Sequence, residues 1–244
     1  MDVKKRFYQA RAWSVHLYTS LGLITSFMAL AALVAGHPQQ FFIYLGIALF
    51  IDATDGTLAR RWQVKKWAAD FDGRKLDDIT DYINYAFLPI FFTYRVGLVS
   101  GPWVGVLLIC LLAAAYGFCQ GGAKTSDGFF TGFPNFWNLV VFYLYLLKLP
   151  EAANIVIFLV LAGLIWVPVK YISFSTVPLR GLTLVLCALY GVILGILVAQ
   201  LDNPNPLLVA GSLLVPVYYV AASIYLTVKE RQNDCDCEQP AFGG

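Results

Sequence analysis

Eight apolar runs follow one another along this chain, near residues 14–35, 40–59, 76–95, 101–119, 133–149, 152–172, 179–200 and 206–228, with short polar connectors between them. About 20 apolar residues suffice for a helix to cross the hydrocarbon of a bilayer, and in lipid such a run has to satisfy its backbone groups within itself. The runs therefore predict an all-α, polytopic integral membrane bundle of about eight transmembrane helices, the fifth run being the shortest. With 59% hydrophobic and 13% charged residues, the 244-residue chain lacks the polar surface that a soluble fold of this length needs. Residues 1–232 are expected to form one membrane domain, with 233–244 as a polar C-terminal tail.

The basic residues give the bundle a direction. Lys4, Lys5, Arg6 and Arg11 precede the first run; Arg60, Arg61, Lys65, Lys66, Arg74 and Lys75 cluster between the second and third; Lys124, Lys170, Arg180, Lys229 and Arg231 fall in the later even-numbered connectors and the tail. The odd-numbered connectors hold only Arg95 and Lys148. That asymmetry places both termini and the second connector on the cytoplasmic side. Because the bases are segregated rather than in excess, they describe a belt able to hold anionic lipid and carry no nucleic-acid signature. Residues 2–13 alternate basic and aromatic groups, which predicts a short N-terminal interfacial helix with Phe7, Tyr8 and Trp13 in the headgroups. A disordered basic tail is the competing reading, and no cleavage site marks a signal peptide. Cys110, Cys119 and Cys187 read as packing residues, and Cys235-Asp236-Cys237 lacks the further ligands of a metal site.

Acids interrupt the apolar pattern at one place. Asp52, Asp55, Gly56 and Ala59 stand at i, i+3, i+4 and i+7 and share a helix face, with Arg60 beside it; Gly73, Asp77 and Asp81 stand at i, i+4 and i+8. At about 1.5 Å rise per residue, neighbouring carboxylates on each helix lie roughly 4.5 to 6 Å apart along the axis. Four like charges at that range are costly at a bilayer edge unless cations neutralise them. Ligands that are all oxygen suit hard divalent ions, Mg²⁺ or Mn²⁺, and two ions about 3.5 to 4 Å apart would fit the set. Simple solvation at helix ends is the alternative. It serves for Asp70, Asp72 and Asp78, the last lying about 100° round the helix from Asp77, but less well for four acids in register with small residues between them.

The string Asp52-x-x-Asp55-Gly56-x-x-Ala59-Arg60, then Gly73-x-x-x-Asp77-x-x-x-Asp81, resembles the signature of the CDP-alcohol phosphotransferases, integral membrane enzymes of phospholipid synthesis. The spacer 61–72 is longer than in most members and is similar to that of the bacterial phosphatidylcholine synthase branch, which condenses CDP-diacylglycerol with choline and releases CMP. The resemblance implies a multi-pass enzyme of the bacterial inner membrane with its site facing the cytoplasm. It implies metal ligation by Asp52, Asp55, Asp77 and Asp81, with Asp81 also the general base. Gly56, Ala59, Arg60 and Gly73 would contact CDP, Gly73 serving helix packing as well, and the cofactor would be Mn²⁺ or Mg²⁺, two ions. CDP-diacylglycerol, choline, CMP and membrane lipids are the implied partners, and relatives are often homodimers.

A trimethylammonium donates no hydrogen bond, so its recognition calls for aromatic faces. Tyr85 lies one turn beyond Asp81, flanked by Tyr82 and Asn84, while Tyr18, Phe133, Phe136 and Trp137 lie at the cytoplasmic ends of other runs. The loop 120–128 and the aromatic stretch after it are the expected place of acceptor recognition. Lys124 and Arg180 alone could steady a phosphorylated acceptor, which favours choline over glycerol 3-phosphate or inositol phosphate; serine is a further alternative. His16 is either a ligand or headgroup contact, or simply hydrogen-bonded. A cation transporter would need charges near the midplane and broken helices in both halves, whereas these acids gather at one side.

Overall fold

Proline and glycine divide the apolar runs into helices. Gly36, at φ +81°, ends α1 (Val3–Val34), and Pro38 opens α2 (Pro38–Arg61), where its missing N–H and preset φ suit the first helical turn. Residues 3–120, 130–167, 170–171 and 180–237 are described in this computed structural model. After α2 come a single turn, α3 (Val64–Trp67), and α4 (Gly73–Asp81), which passes through a π-helical turn, Tyr82–Phe87, into α5 (Leu88–Arg95). There follow α6 (Val104–Cys119), α7 (Trp137–Leu147), α8 (Glu151–Leu164), α9 (Arg180–Ala199) and α10 (Pro206–Cys237). A two-residue antiparallel ladder pairs Phe130 with Tyr171 and Thr131 with Lys170.

Among the described residues, four helices are long and apolar enough to cross a membrane: Val3–Val34, Pro38–Arg61, Gly101–Cys119 and Pro206–Tyr225. Each of the eight expected runs contains a helix, but helix length does not carry a count of eight crossings. α7 has 11 residues and α8 has 14; these span about 17 and 21 Å, against a hydrocarbon core of about 30 Å. Lys148, left-handed at φ 48°, and Pro150 stop α7 early. Large apolar side chains such as Leu17, Phe27, Phe50 and Leu112 are exposed on the outside of the bundle, as lipid contact requires. The expected interfacial segment is helical but is no separate element: α1 runs unbroken through it, since residues 3–13 contain neither Gly nor Pro. Likewise α10 continues past residue 232 to Cys237, and 238–244 lie outside the described residues.

α1 is the element against which the acid-bearing helices are arranged. Its buried face, Ala12, Val15, His16, Thr19, Gly22, Ser26 and Ala29, recurs every three or four residues and is made mostly of small side chains. It packs along α2, α4 and α3. The longer spacer therefore folds back instead of lying free: Trp67 of α3 stacks on Tyr8 at 4.9 Å, Arg11 lies over both Tyr8 and Trp62 at 5.3 Å, and Val64 and Ala68 close a small core with Ala12 and Val15. The main core lies on the other side, where Phe41, Phe42 and Phe92 pack together and Trp137 stacks on Phe158 at 5.6 Å.

The π turn has an identifiable cause. Pro89 supplies no N–H and its ring crowds the carbonyl one turn back, so the regular ladder cannot pass through it. Leu88 instead donates to Ile83, five residues earlier, and the turn widens immediately after Asp81.

Candidate active site

Asp52 and Asp55 lie in the last three turns of α2, Asp77 and Asp81 on α4, and all four line one small cavity of about 10 Å³. That is the room of roughly one water-sized sphere. One carboxylate oxygen each from Asp52, Asp55 and Asp77 falls within 4.8 Å of the others. Asp81 lines the same cavity but stands outside this group of three.

Neutral hydroxyls hold the carboxylates in place. Thr19 of α1 donates to Oδ2 of Asp55 at 2.6 Å, and Tyr85 of the π turn donates to Oδ2 of Asp52 at 2.6 Å. A second rung ties α1 to the π turn that continues α4: the Ser26 hydroxyl, shared with the Gly22 carbonyl at 2.7 Å, donates to Asn84 Oδ1 at 2.9 Å, and the Asn84 amide in turn donates to the Thr80 backbone carbonyl at 3.0 Å. Asp72 caps α4 by accepting from the Lys75 N–H at 3.1 Å, which starts the helix one turn before Asp77. Three oxygen donors converging on one point, held by groups that do not cancel their charge, fit a hard divalent cation.

The other expected contacts divide. Gly56 leaves its face open, since a Cβ there would meet only the Arg60 guanidinium, at 3.6 Å; Arg60 itself is exposed and bonded to Thr57. Ala59 packs instead toward the core formed by α1 and α3. Gly73 is where the His16 ring comes down on α4, a Cβ there lying 2.5 Å from its Cε1. His16 is buried between Phe71 and Trp13, and its Nε2 has no hydrogen-bond partner among the described residues. The Tyr18 hydroxyl pairs with Thr54 at 2.8 Å, beside the acids.

The structure does not gather every expected ring at the site. Tyr82 turns away to donate to the Leu111 carbonyl on α6. Trp137 is fully buried in the main core, and Phe133 packs on it edge to face at 5.3 Å. Phe136 is the ring from this region that approaches Tyr85, at 6.4 Å, with Tyr219 of α10 a further 6.3 Å away. Thr19 and Tyr219 had no assigned role on the basis of sequence. Thr19 was detectable as one of a polar group, with His16, Tyr18 and Ser20, at one end of the first apolar run, whereas nothing local marks Tyr219. The loop 120–128 with Lys124 lies largely outside the described residues, and α9 begins at Arg180, whose side chain is not among those described.

The fold and site define a class: a helical membrane protein with a carboxylate site for hard divalent cations at the junction of two helices and a third that braces both. Residues 16–169 match the family model described as CDP-alcohol phosphatidyltransferase, and the chain belongs to that family. It is similar to the phosphatidylcholine synthase of Pseudomonas aeruginosa, 34% identical over 227 residues that cover 91% of this chain and 94% of that protein. The phosphatidylcholine synthase of Borreliella burgdorferi is 34% identical over 91% of this chain and 97% of its own length. That of Legionella pneumophila is 35% identical over 88% of each.

Proposed function

We propose that this chain is a CDP-diacylglycerol–choline O-phosphatidyltransferase, joining the phosphatidyl group to the choline hydroxyl and releasing CMP. The carrying observation is the group of three carboxylate oxygens within 4.8 Å, on a chain similar along most of its length to phosphatidylcholine synthases. Asp52, Asp55 and Asp77 would hold Mn²⁺ or Mg²⁺. Bound there, such ions would supply positive charge against the diphosphate and the departing CMP.

The remaining chemistry belongs to the chain's own residues. Asp81, on the cavity wall but outside the three, is the general base that takes the choline proton as its oxygen attacks phosphorus. The open face at Gly56 admits the nucleotide, and the exposed Arg60 at the end of α2 reaches its diphosphate. Gly73 serves mainly to seat His16. The rings of Tyr85, Phe136 and Tyr219 offer the aromatic faces that a trimethylammonium needs, with Asp81 supplying opposite charge. Tyr18 has a lesser part at the rim. The site opens to the cytoplasmic face of a bacterial inner membrane, so the acyl chains of CDP-diacylglycerol stay in lipid.

The test is CMP release by the purified protein with CDP-diacylglycerol and Mn²⁺, offering choline, ethanolamine, serine, inositol and glycerol 3-phosphate separately, beside Asp81→Asn. Release with choline alone, lost in the variant, is expected. Release with another alcohol would overturn the acceptor, and release by Asp81→Asn at the parent rate would overturn the base.

A further inference from the structure

We infer that Thr19 and Tyr85 are positioning residues that set the metal affinity of the acid cluster through the carboxylates they hold. The inference rests on the reading of Asp52 and Asp55 as metal ligands. Each hydroxyl donates to the Oδ2 of one acid at 2.6 Å, the short distance of a bond to a charged acceptor. Such a bond fixes the rotation of the carboxylate and leaves its other oxygen for the cavity.

Neither donor comes from the helix of the acid it holds. Thr19 projects from α1 and Tyr85 from the π turn beyond α4, so the two bonds set α2 against its neighbours as well as orienting its acids. Both donors are buried, Thr19 at 7% exposure and Tyr85 at 9%, which keeps water from competing. Both are also neutral. An arginine or lysine in either place would orient the acid equally well but cancel the charge that draws a cation. Thr19 is stiff at its β-branch, and the widened turn caused by Pro89 sets where Tyr85 points. Outer-shell partners of this kind alter metal affinity or activity by about 10- to 100-fold when removed.

The experiment measures Mn²⁺ binding to the purified full-length protein in detergent, without substrate, by the loss of the free-ion electron paramagnetic resonance signal. Thr19→Val, Thr19→Ser, Tyr85→Phe and Asp55→Asn are compared, each checked for parent-like circular dichroism. Thr19→Val and Tyr85→Phe are expected to weaken Mn²⁺ binding by about 10- to 100-fold, whereas Thr19→Ser keeps the hydroxyl and the affinity. Parent affinity in Thr19→Val and Tyr85→Phe, with affinity lost in Asp55→Asn, would overturn this inference alone. Parent affinity in Asp55→Asn would instead overturn the ligand reading beneath it.

Discussion

A single methyl group at position 22 tests how closely the acid-bearing helices have to be held. Gly22 faces α4 from α1, and a Cβ built there lies 2.5 Å from Thr80 Cγ2. Carbon atoms pack at about 3.5 to 4.0 Å, so Gly22→Ala requires α1 and α4 to separate by about 1 Å or Thr80 to turn. Turning is resisted, because Thr80 is β-branched, buried, and bonded through its hydroxyl to the Leu76 carbonyl at 2.9 Å. Overpacking of this kind costs about 1 to 3 kcal/mol. The catalytic cost should be larger, since Thr80 lies between Asp77 and Asp81, and about 1 Å of misplacement at reacting groups can cost about 100-fold in rate. Gly22→Ala should therefore lower CMP release by about two orders of magnitude while the protein still folds. Thr80→Ser deletes the clashing methyl and keeps the hydroxyl, so Gly22→Ala/Thr80→Ser should recover most of the loss. Release at the parent rate by Gly22→Ala, or no recovery in the double variant, would refute the argument.

Pro89→Ala restores an N–H and removes the ring that forces the π turn, so the turn should tighten and draw the Tyr85 hydroxyl off Asp52; CMP release should fall at least about tenfold at limiting Mn²⁺, with helix content unchanged by circular dichroism. Trp137→Ala empties a fully buried site stacked on Phe158 and should lower stability by about 3 to 5 kcal/mol in denaturant unfolding. Activity remaining at low temperature should show the parent choline KM, because this ring lies in the core. Asp72→Ala removes the cap of α4 and should cost about 0.5 to 2 kcal/mol by the same unfolding measurement, with Asp72→Asn losing much less.

The apolar runs and the acid spacing were legible because each is a local pattern: helix period and hydropathy alone place Asp52 with Asp55, and Asp77 with Asp81, on single faces. What the sequence could not convey is which neighbour each face meets. The helix period put Tyr85 one turn beyond Asp81 with Tyr82 flanking it, but not their partners, which are Asp52 of α2 for the first and Leu111 of α6 for the second. Trp137 and Phe136 are adjacent aromatics, and only packing decides that the first belongs to the core and the second lies near Tyr85. The spacer 61–72 read as a surface segment from its tryptophans and lysines; its docking on Tyr8 and Arg11 depends on α1 reaching back unbroken to Val3, a tertiary fact. Helix length does not carry the count of crossings for a similar reason, since hydropathy extends through the residues where Lys148 and Pro150 end α7.

The role of α1 follows from the electrostatics of the two helices it touches. Asp52 and Asp55 on one side and Asp77 on the other bring oxygens within 4.8 Å, so when these acids are ionised and no cation lies between them, repulsion pushes α2 and α4 apart. Hydrogen bonds within either helix do nothing against that force, because each moves with its own helix. Resistance has to come from bonds between elements: Tyr85 to Asp52 joins α2 directly to the segment continuing α4, and α1 braces both, α2 through Thr19 and Asp55 and that segment through Ser26 and Asn84. The one buried residue between these rungs, Gly22, then has a mechanical meaning. At Gly22 the helices approach closely enough for the rungs above and below to close, and a larger side chain would open the site from the side on which it is braced.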